Sequence, residues 1–171
     1  SEVALEDISS ELVEALIATE DSRFYEHKGV DHQSLLRVLV KSILLRQNAG
    51  GGSTISQQLA KNVFGRQDHG WLTIPAVKAR EIIIANLLNQ VYTKEEILEL
   101  YLNTVSFGED TYGIKVACER FFSTTPSDIK LEEAAVLIGM LKAPNSYNPR
   151  LNPEKSKTRR NVVLGQMLKE S

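Results

Sequence analysis

The sequence predicts an all-α protein, and three observations carry that expectation. Apolar residues recur at three- and four-residue spacing almost from end to end. Two capping boxes, Thr54 with Gln57 and Thr93 with Glu96, mark helix starts. Pro75, Pro126 and Pro153 each stand near the beginning of a helical stretch, where a proline is tolerated. With 171 residues and 42% hydrophobic content, the chain is sized for one domain, 1–171, with a packed core.

In order, Ile8, Leu12, Val13, Leu16 and Ile17 form the stripe of a first amphipathic helix. A loop follows at His27-Lys28-Gly29, and Asp31 is placed to cap the next helix. That helix, 33–46, carries Leu35, Leu36, Val38, Leu39, Val40, Ile43, Leu44 and Leu45 on more than one face. Asn48-Ala49-Gly50-Gly51-Gly52 breaks it, and the Thr54 capping box opens a helix to about Val63. The segment 65–70 reads as a polar loop. A long apolar helix is expected over 74–92, and another from the Thr93 box to about Asn103. The stretch 107–113 is irregular, with room for a short hairpin. Further helices are expected over 114–122, 126–141 and 153–169.

The totals exclude several classes of function. Twenty Lys and Arg against 22 Asp and Glu give a net charge of -2, so no nucleic-acid partner is expected. Cys118 is the only cysteine, which removes a disulfide or a Cys-rich zinc site. His27, His32 and His69 lack metal-ligand spacing. Ser22, Ser53 and Cys118 sit in no nucleophile signature. No apolar run approaches the roughly 20 residues that span a bilayer.

Two carboxylates stand where apolar residues belong. Glu20 lies four after Leu16 and three after Ile17, continuing the apolar stripe of the first helix. Glu81 lies four after Val77, three before Ile84 and seven before Leu88. A buried carboxylate needs a partner or a use. The pattern leaves two readings open, a structural ion pair or a cleft pair suited to acid/base work on glycosidic bonds. Lys78, three residues before Glu81, is positioned to hold it ionised or to bind a substrate anion. Gly51-Gly52-Ser53-Thr54 leads into a helix N-terminus, which favours anions. Along that helix Gln57 and Lys61 share one face and Gln58 and Asn62 another, leaving Ile55, Leu59 and Val63 for the core. The alternative is a plain loop and a solvated face.

These residues assemble into a resemblance. Glu20-Asp21-Ser22-Arg23-Phe24-Tyr25-Glu26-His27-Lys28-Gly29 resembles the E-D-x-x-F-x-x-H-x-G signature of the peptidoglycan glycosyltransferases. That family comprises the polymerase domains of class A penicillin-binding proteins and the monofunctional transglycosylases. The run from Gly52 to Asn62 is similar to its G-S-T-I-x-Q-Q-x-x-K-N motif, and Lys94 to Asn103 to a further one. Ala143-Pro144, Tyr147-Asn148-Pro149, Arg159-Arg160 and Val162-Val163-Leu164 resemble its closing segment. One position departs: the family's R-K-x-x-E reads Val77-Lys78-Ala79-Arg80-Glu81 here, which puts that arginine's role in doubt unless Arg80 replaces it.

The resemblance implies a lysozyme-like helical fold with a larger globular lobe and a smaller membrane-facing one. Segment 28–50 would belong to the smaller lobe, with the 33–46 helix contacting the membrane surface. It implies polymerisation of lipid II into β-1,4 glycan with inversion. Glu20 is the implied base and Glu81 the second carboxylate, orienting cations or holding a divalent metal (Mg or Mn). Asp21, Phe24, His27, Ser53, Thr54, Gln57, Gln58, Lys61, Asn62, Lys78, Arg80 and Asn103 are the implied substrate contacts. Lipid II, the growing lipid-linked strand and cell-wall assembly proteins are the implied partners, with a transpeptidase domain fused in the native chain. The implied location is the extracytoplasmic face of the bacterial cytoplasmic membrane, with the native N-terminal anchor outside this chain. Moenomycin-type inhibition is implied too. No β-lactam-reactive serine motif is present. The rival readings are a lysozyme-like glycan-cleaving enzyme and a non-catalytic lipid-glycan binding module.

Overall fold

The computed structural model describes residues 2–45, 51–65 and 73–171. The predicted helix end at Arg46, the 48–50 part of the Gly-rich break, His69 and nearly all of the 65–70 loop lie outside them. The described residues are helical: α1 (Ser10–Glu20), α2 (His32–Leu45), α3 (Ile55–Phe64), α4 (Thr73–Val91), α5 (Lys94–Thr104), α6 (Ile114–Phe122), α7 (Leu131–Met140) and α8 (Pro153–Glu170), with a 3-10 turn at Leu5–Asp7. The all-α expectation holds. The chain divides into two compact units, one of Ser1–Ser22 with Leu98–Ser171 and one of Arg23–Ile97.

In the first unit α1, α7 and α8 pack mutually and α6 joins α7. Ile8, Leu12 and Leu16 of the predicted stripe are buried, together with Ala15 of α1 and Ala134, Ala135, Leu137 and Ile138 of α7. Full burial of one such leucine contributes roughly 1.5–3 kcal/mol. Ser9 caps α1, its side chain accepting from the Leu12 N–H. The N-terminal strand-like segment is tied to distant chain: Leu5 N–H donates to Glu99 at 2.8 Å and Ser9 N–H to the Pro126 carbonyl at 2.9 Å.

Two local expectations change. The helix expected from Pro126 begins at Leu131. Thr125 Oγ1 donates to Asp128 at 2.7 Å and makes a turn, while Glu133 accepts from Lys130 N–H at 3.1 Å and defers the start. The irregular 107–113 stretch is a minimal hairpin. It has one antiparallel bridge, Ser106 to Tyr112, and a turn closed by Thr111 N–H to the Gly108 carbonyl at 2.8 Å. Glu109 and Asp110 take φ of 47° and 56°, the left-handed pair that a tight hairpin turn requires. Glu109 is held there by Asn148 at 2.8 Å, with Arg120 at 3.7 Å and Arg150 at 3.9 Å.

In the second unit α3 packs on α4. Both predicted capping boxes form: Thr54 with Gln57 at α3, and Thr93 with Glu96 at α5, where Thr93 N–H donates to Glu96 at 2.7 Å. Asp31 caps α2 as expected, accepting from Gln33 and Ser34 N–H at 3.0 Å each. Burial pushes the Asp31 carboxyl up, but its bonds to Ser34 and the nearby Arg23 charge outweigh this and leave it below the usual range.

Candidate active site

The predicted site residues divide between the two units. In the first, Glu20 ends α1 and is half-buried, one turn beyond the fully buried Leu16, so the stripe prediction holds. Asp21 follows as the C-cap residue and is itself buried. Tyr101 is wholly buried; burial raises its hydroxyl well above the ordinary range, and the Glu20 charge adds to the effect. Tyr101 therefore stays protonated at neutral pH beside the carboxylate. Sequence reasoning did not single it out.

Asn103 is spent on structure. Its Nδ2 donates to the Val3 and Glu99 carbonyls at 2.9 Å each, and its Oδ1 accepts from Val3 N–H at 2.9 Å.

In the second unit Phe24 is fully buried and His27 nearly so. His27 Nδ1 accepts from Gly29 N–H at 3.1 Å, fixing the loop that the first motif encodes. Lys94, at the start of α5, places its ammonium 4.4 Å from the Phe24 ring centroid and donates to the His27 carbonyl at 2.7 Å. This clamp was legible only as a charge at a helix start, because both partners are remote in sequence.

Thr54 and Gln57 are interior residues. Thr54 Oγ1 donates to the Gly29 carbonyl at 2.6 Å, joining the first motif to the second. Gln57 is fully buried, its Oε1 accepting from Thr54 N–H at 3.0 Å, so that end of the side chain serves the cap. The assignment of α3's faces shifts accordingly. Ile55 and Leu59 are buried with Ser56 and Ala60, while Val63, expected in the core, is exposed in the last turn. Small residues at 56 and 60 let the first half of α3 approach α4 closely, and Asn89 of α4 donates to Ser56 at 2.8 Å. Gln58 is half-buried; Lys61 and Asn62 are exposed.

Glu81 points inward, as its spacing predicts. Its side chain is only 12% exposed and is ion-paired to Lys78 at 3.1 Å. Lys78 also donates to Ser53 Oγ at 2.7 Å. Beside this trio, Lys61, Phe64, Val77, Arg80, Glu81 and Ile84 line a shallow depression. The Arg80 guanidinium stands 6.0 Å from the Phe64 ring centroid, so a cation is present at this wall although Val77 occupies the family arginine's position. Lys61 and Arg80 against Glu81, itself paired to Lys78, leave the lining net positive and suited to an anion.

A comparison with known families matches the chain to the transglycosylase family over residues 1–168. The chain belongs to the transglycosylase family. Peptidoglycan glycosyl transfer is the function this membership gives the domain. It is 44% identical to penicillin-binding protein 1F of Bacillus subtilis, over 96% of this chain and 22% of that protein. It is 42% identical to penicillin-binding protein 1A of Escherichia coli, over 98% of this chain and 19% of that one. The chain thus spans about a fifth of the length of these class A relatives. Among solved structures, penicillin-binding protein 1A of Haemophilus influenzae aligns with 99% of this transglycosylase chain and 15% of its own, at a TM-score of 0.56 and 25% identity.

Proposed function

We propose that this transglycosylase domain polymerises lipid II, transferring a growing glycan from its polyprenyl pyrophosphate onto the 4-hydroxyl of an incoming lipid II. A sugar hydroxyl is a weak nucleophile near neutral pH, so a base must accept its proton as the bond forms. Glu20 takes that role, with attack on the anomeric carbon from the face opposite the pyrophosphate, giving inversion and a β-1,4 link. The departing pyrophosphate needs charge neutralisation more than a proton. Lys78, Lys61 and Arg80 supply it, and Glu81 keeps Lys78 oriented. The observation that carries this reading is the Ser53–Lys78–Glu81 trio beside Lys61 and Arg80. Glycan hydrolysis releases no pyrophosphate and has no use for such a cluster.

A magnesium or manganese ion enters this proposal only with the substrate's pyrophosphate. Glu81 already has Lys78 as its counter-charge, and among the described residues no group of three His, Cys, Asp or Glu side chains is gathered to hold a metal. None of the catalytic steps above is assigned to it.

The membrane surface belongs to the proposal too. Leu36 and Val40 of α2 are exposed, consistent with contact between that helix and lipid headgroups. Among the described residues no helix is long and apolar enough to cross a membrane. The extracytoplasmic location, the fused transpeptidase domain, the cell-wall assembly partners and moenomycin sensitivity follow from the family and stand as proposals for the whole protein.

The test is incubation of the purified chain with lipid II in mild detergent, products resolved by length. Glu20→Gln is expected to lower polymer formation roughly 10²- to 10⁴-fold. Equal rates remove Glu20 from the chemistry. Cutting of preformed glycan with no polymer made places the chain with the glycan-cleaving enzymes.

A further inference from the structure

The Lys78 ammonium occupies an unfavourable place for a cation. It contacts Ser53, immediately before the Thr54 cap of α3, at the positive end of that helix's dipole, which repels positive charge and attracts anions. Two acceptors offset this: Glu81 at 3.1 Å and Ser53 Oγ at 2.7 Å. The Lys78 side chain is 38% exposed and that of Glu81 only 12%, so the cation is the more accessible partner of the pair.

The Ser53 hydroxyl is in turn placed by a pinned backbone. The neighbouring Thr54 is buried, bonded through Oγ1 to the Gly29 carbonyl at 2.6 Å and locked into the capping box with Gln57. Lys78 and Glu81 are one turn apart on α4, which is fastened to α3 by the Asn89–Ser56 bond. A lysine carries three rotatable donors on a flexible stem. With Glu81 alone as partner it samples several positions around the carboxylate; a second acceptor on another helix start selects one.

We propose that Ser53 is a positioning residue that acts through Lys78, its hydroxyl fixing the ammonium where an arriving anion meets the α3 N-terminus. This deepens the lipid II reading above and rests on it. Ser53's importance then lies in aiming a cation, and a direct contact of its own with substrate is not required.

A double-mutant cycle separates the two roles. Ser53→Ala is expected to lower kcat/KM for lipid II about 10- to 100-fold, the range for a hydrogen bond to a charged group. Ser53→Thr, which keeps the hydroxyl, is expected to recover most of it. In the Lys78→Ala background, Ser53→Ala is expected to cost less than about twofold more, since its target is gone. Single effects that multiply in the double variant overturn the proposal, as does a failure of Ser53→Thr to recover. A second readout is independent of turnover: the side-chain ¹⁵N ammonium signal, identified by its loss in Lys78→Ala. In Ser53→Ala that signal is expected to broaden and exchange faster with water; an unchanged signal also overturns the proposal. A wild type that makes no polymer sinks the underlying function instead, while the ammonium spectrum still decides whether Ser53 holds Lys78.

Discussion

Asn103 and Glu81 show how a polar side chain's role is settled by where its atoms are already bonded. Both stand in motif positions, where the resemblance makes Asn103 a substrate contact and Glu81 the second carboxylate of the site. Glu81 keeps its place because the reason for it is local: its spacing from Val77, Ile84 and Leu88 puts it on the inner face of α4, and Lys78 is one turn away. Asn103 spends both ends of its amide on Val3 and Glu99, and Val3 is 100 residues distant in sequence. No spacing rule reaches that far. Asn103→Ala should therefore act on stability. Losing these part-buried bonds costs about 1 kcal/mol, or roughly 2–4 °C in Tm per kcal/mol for a chain of this size. Thermal unfolding of the variant checks this, and an unshifted Tm would return Asn103 to the list of free polar residues.

At the scale of elements, the clearest case is the junction of the first loop with α4. Gly29 has φ of +109°, and a Cβ built there would lie 2.6 Å from the Ala85 carbonyl oxygen. Gly65, with φ of +64°, has nothing among the described residues within 4 Å of such a Cβ. Alanine at 65 thus meets the backbone cost of a conformation essentially confined to glycine, roughly 1–3 kcal/mol. Alanine at 29 meets that cost and a clash with backbone that cannot swing aside. Gly29→Ala should lower the Tm by several degrees more than Gly65→Ala. A smaller or equal drop would mean the loop lifts off α4 at little cost. The same locality explains which elements were legible. The capping boxes at Thr54 and Thr93 and the Asp31 cap are encoded within four residues, and all three form. The start of α7 was misread because a proline marks a permitted helix start and does not require one; the Thr125–Asp128 turn took it. Val63 was misplaced because apolar spacing says which residues share a face but not how far along a helix its neighbour extends.

For the whole molecule, helical periodicity was enough to read the class of fold, and long motifs in order were enough to read the family. The resemblance implied two lobes, but no local pattern marks where the two units divide, because the first takes residues from both ends of the chain, with Arg23–Ile97 between them in sequence. Its tertiary contacts, such as Leu5 to Glu99 and Ser9 to Pro126, join residues whose closeness no local pattern records. Cys118 offers a probe of that unit. Its thiol is fully buried on α6, and burial, aided by the Glu133 charge, pushes it from an ordinary 9.0 up to about 12. Between those values the unfolded chain releases the thiol proton while the folded chain retains it. The contribution of this group to stability is thus complete below pH 9.0 and falls as pH rises toward about 12. At mildly alkaline pH an alkylating reagent should leave the folded protein untouched and modify Cys118 only as fast as the first unit opens. Labelling measured across a denaturant series is expected to track the loss of helical circular dichroism. Rapid labelling before that transition would mean that α6 opens on its own.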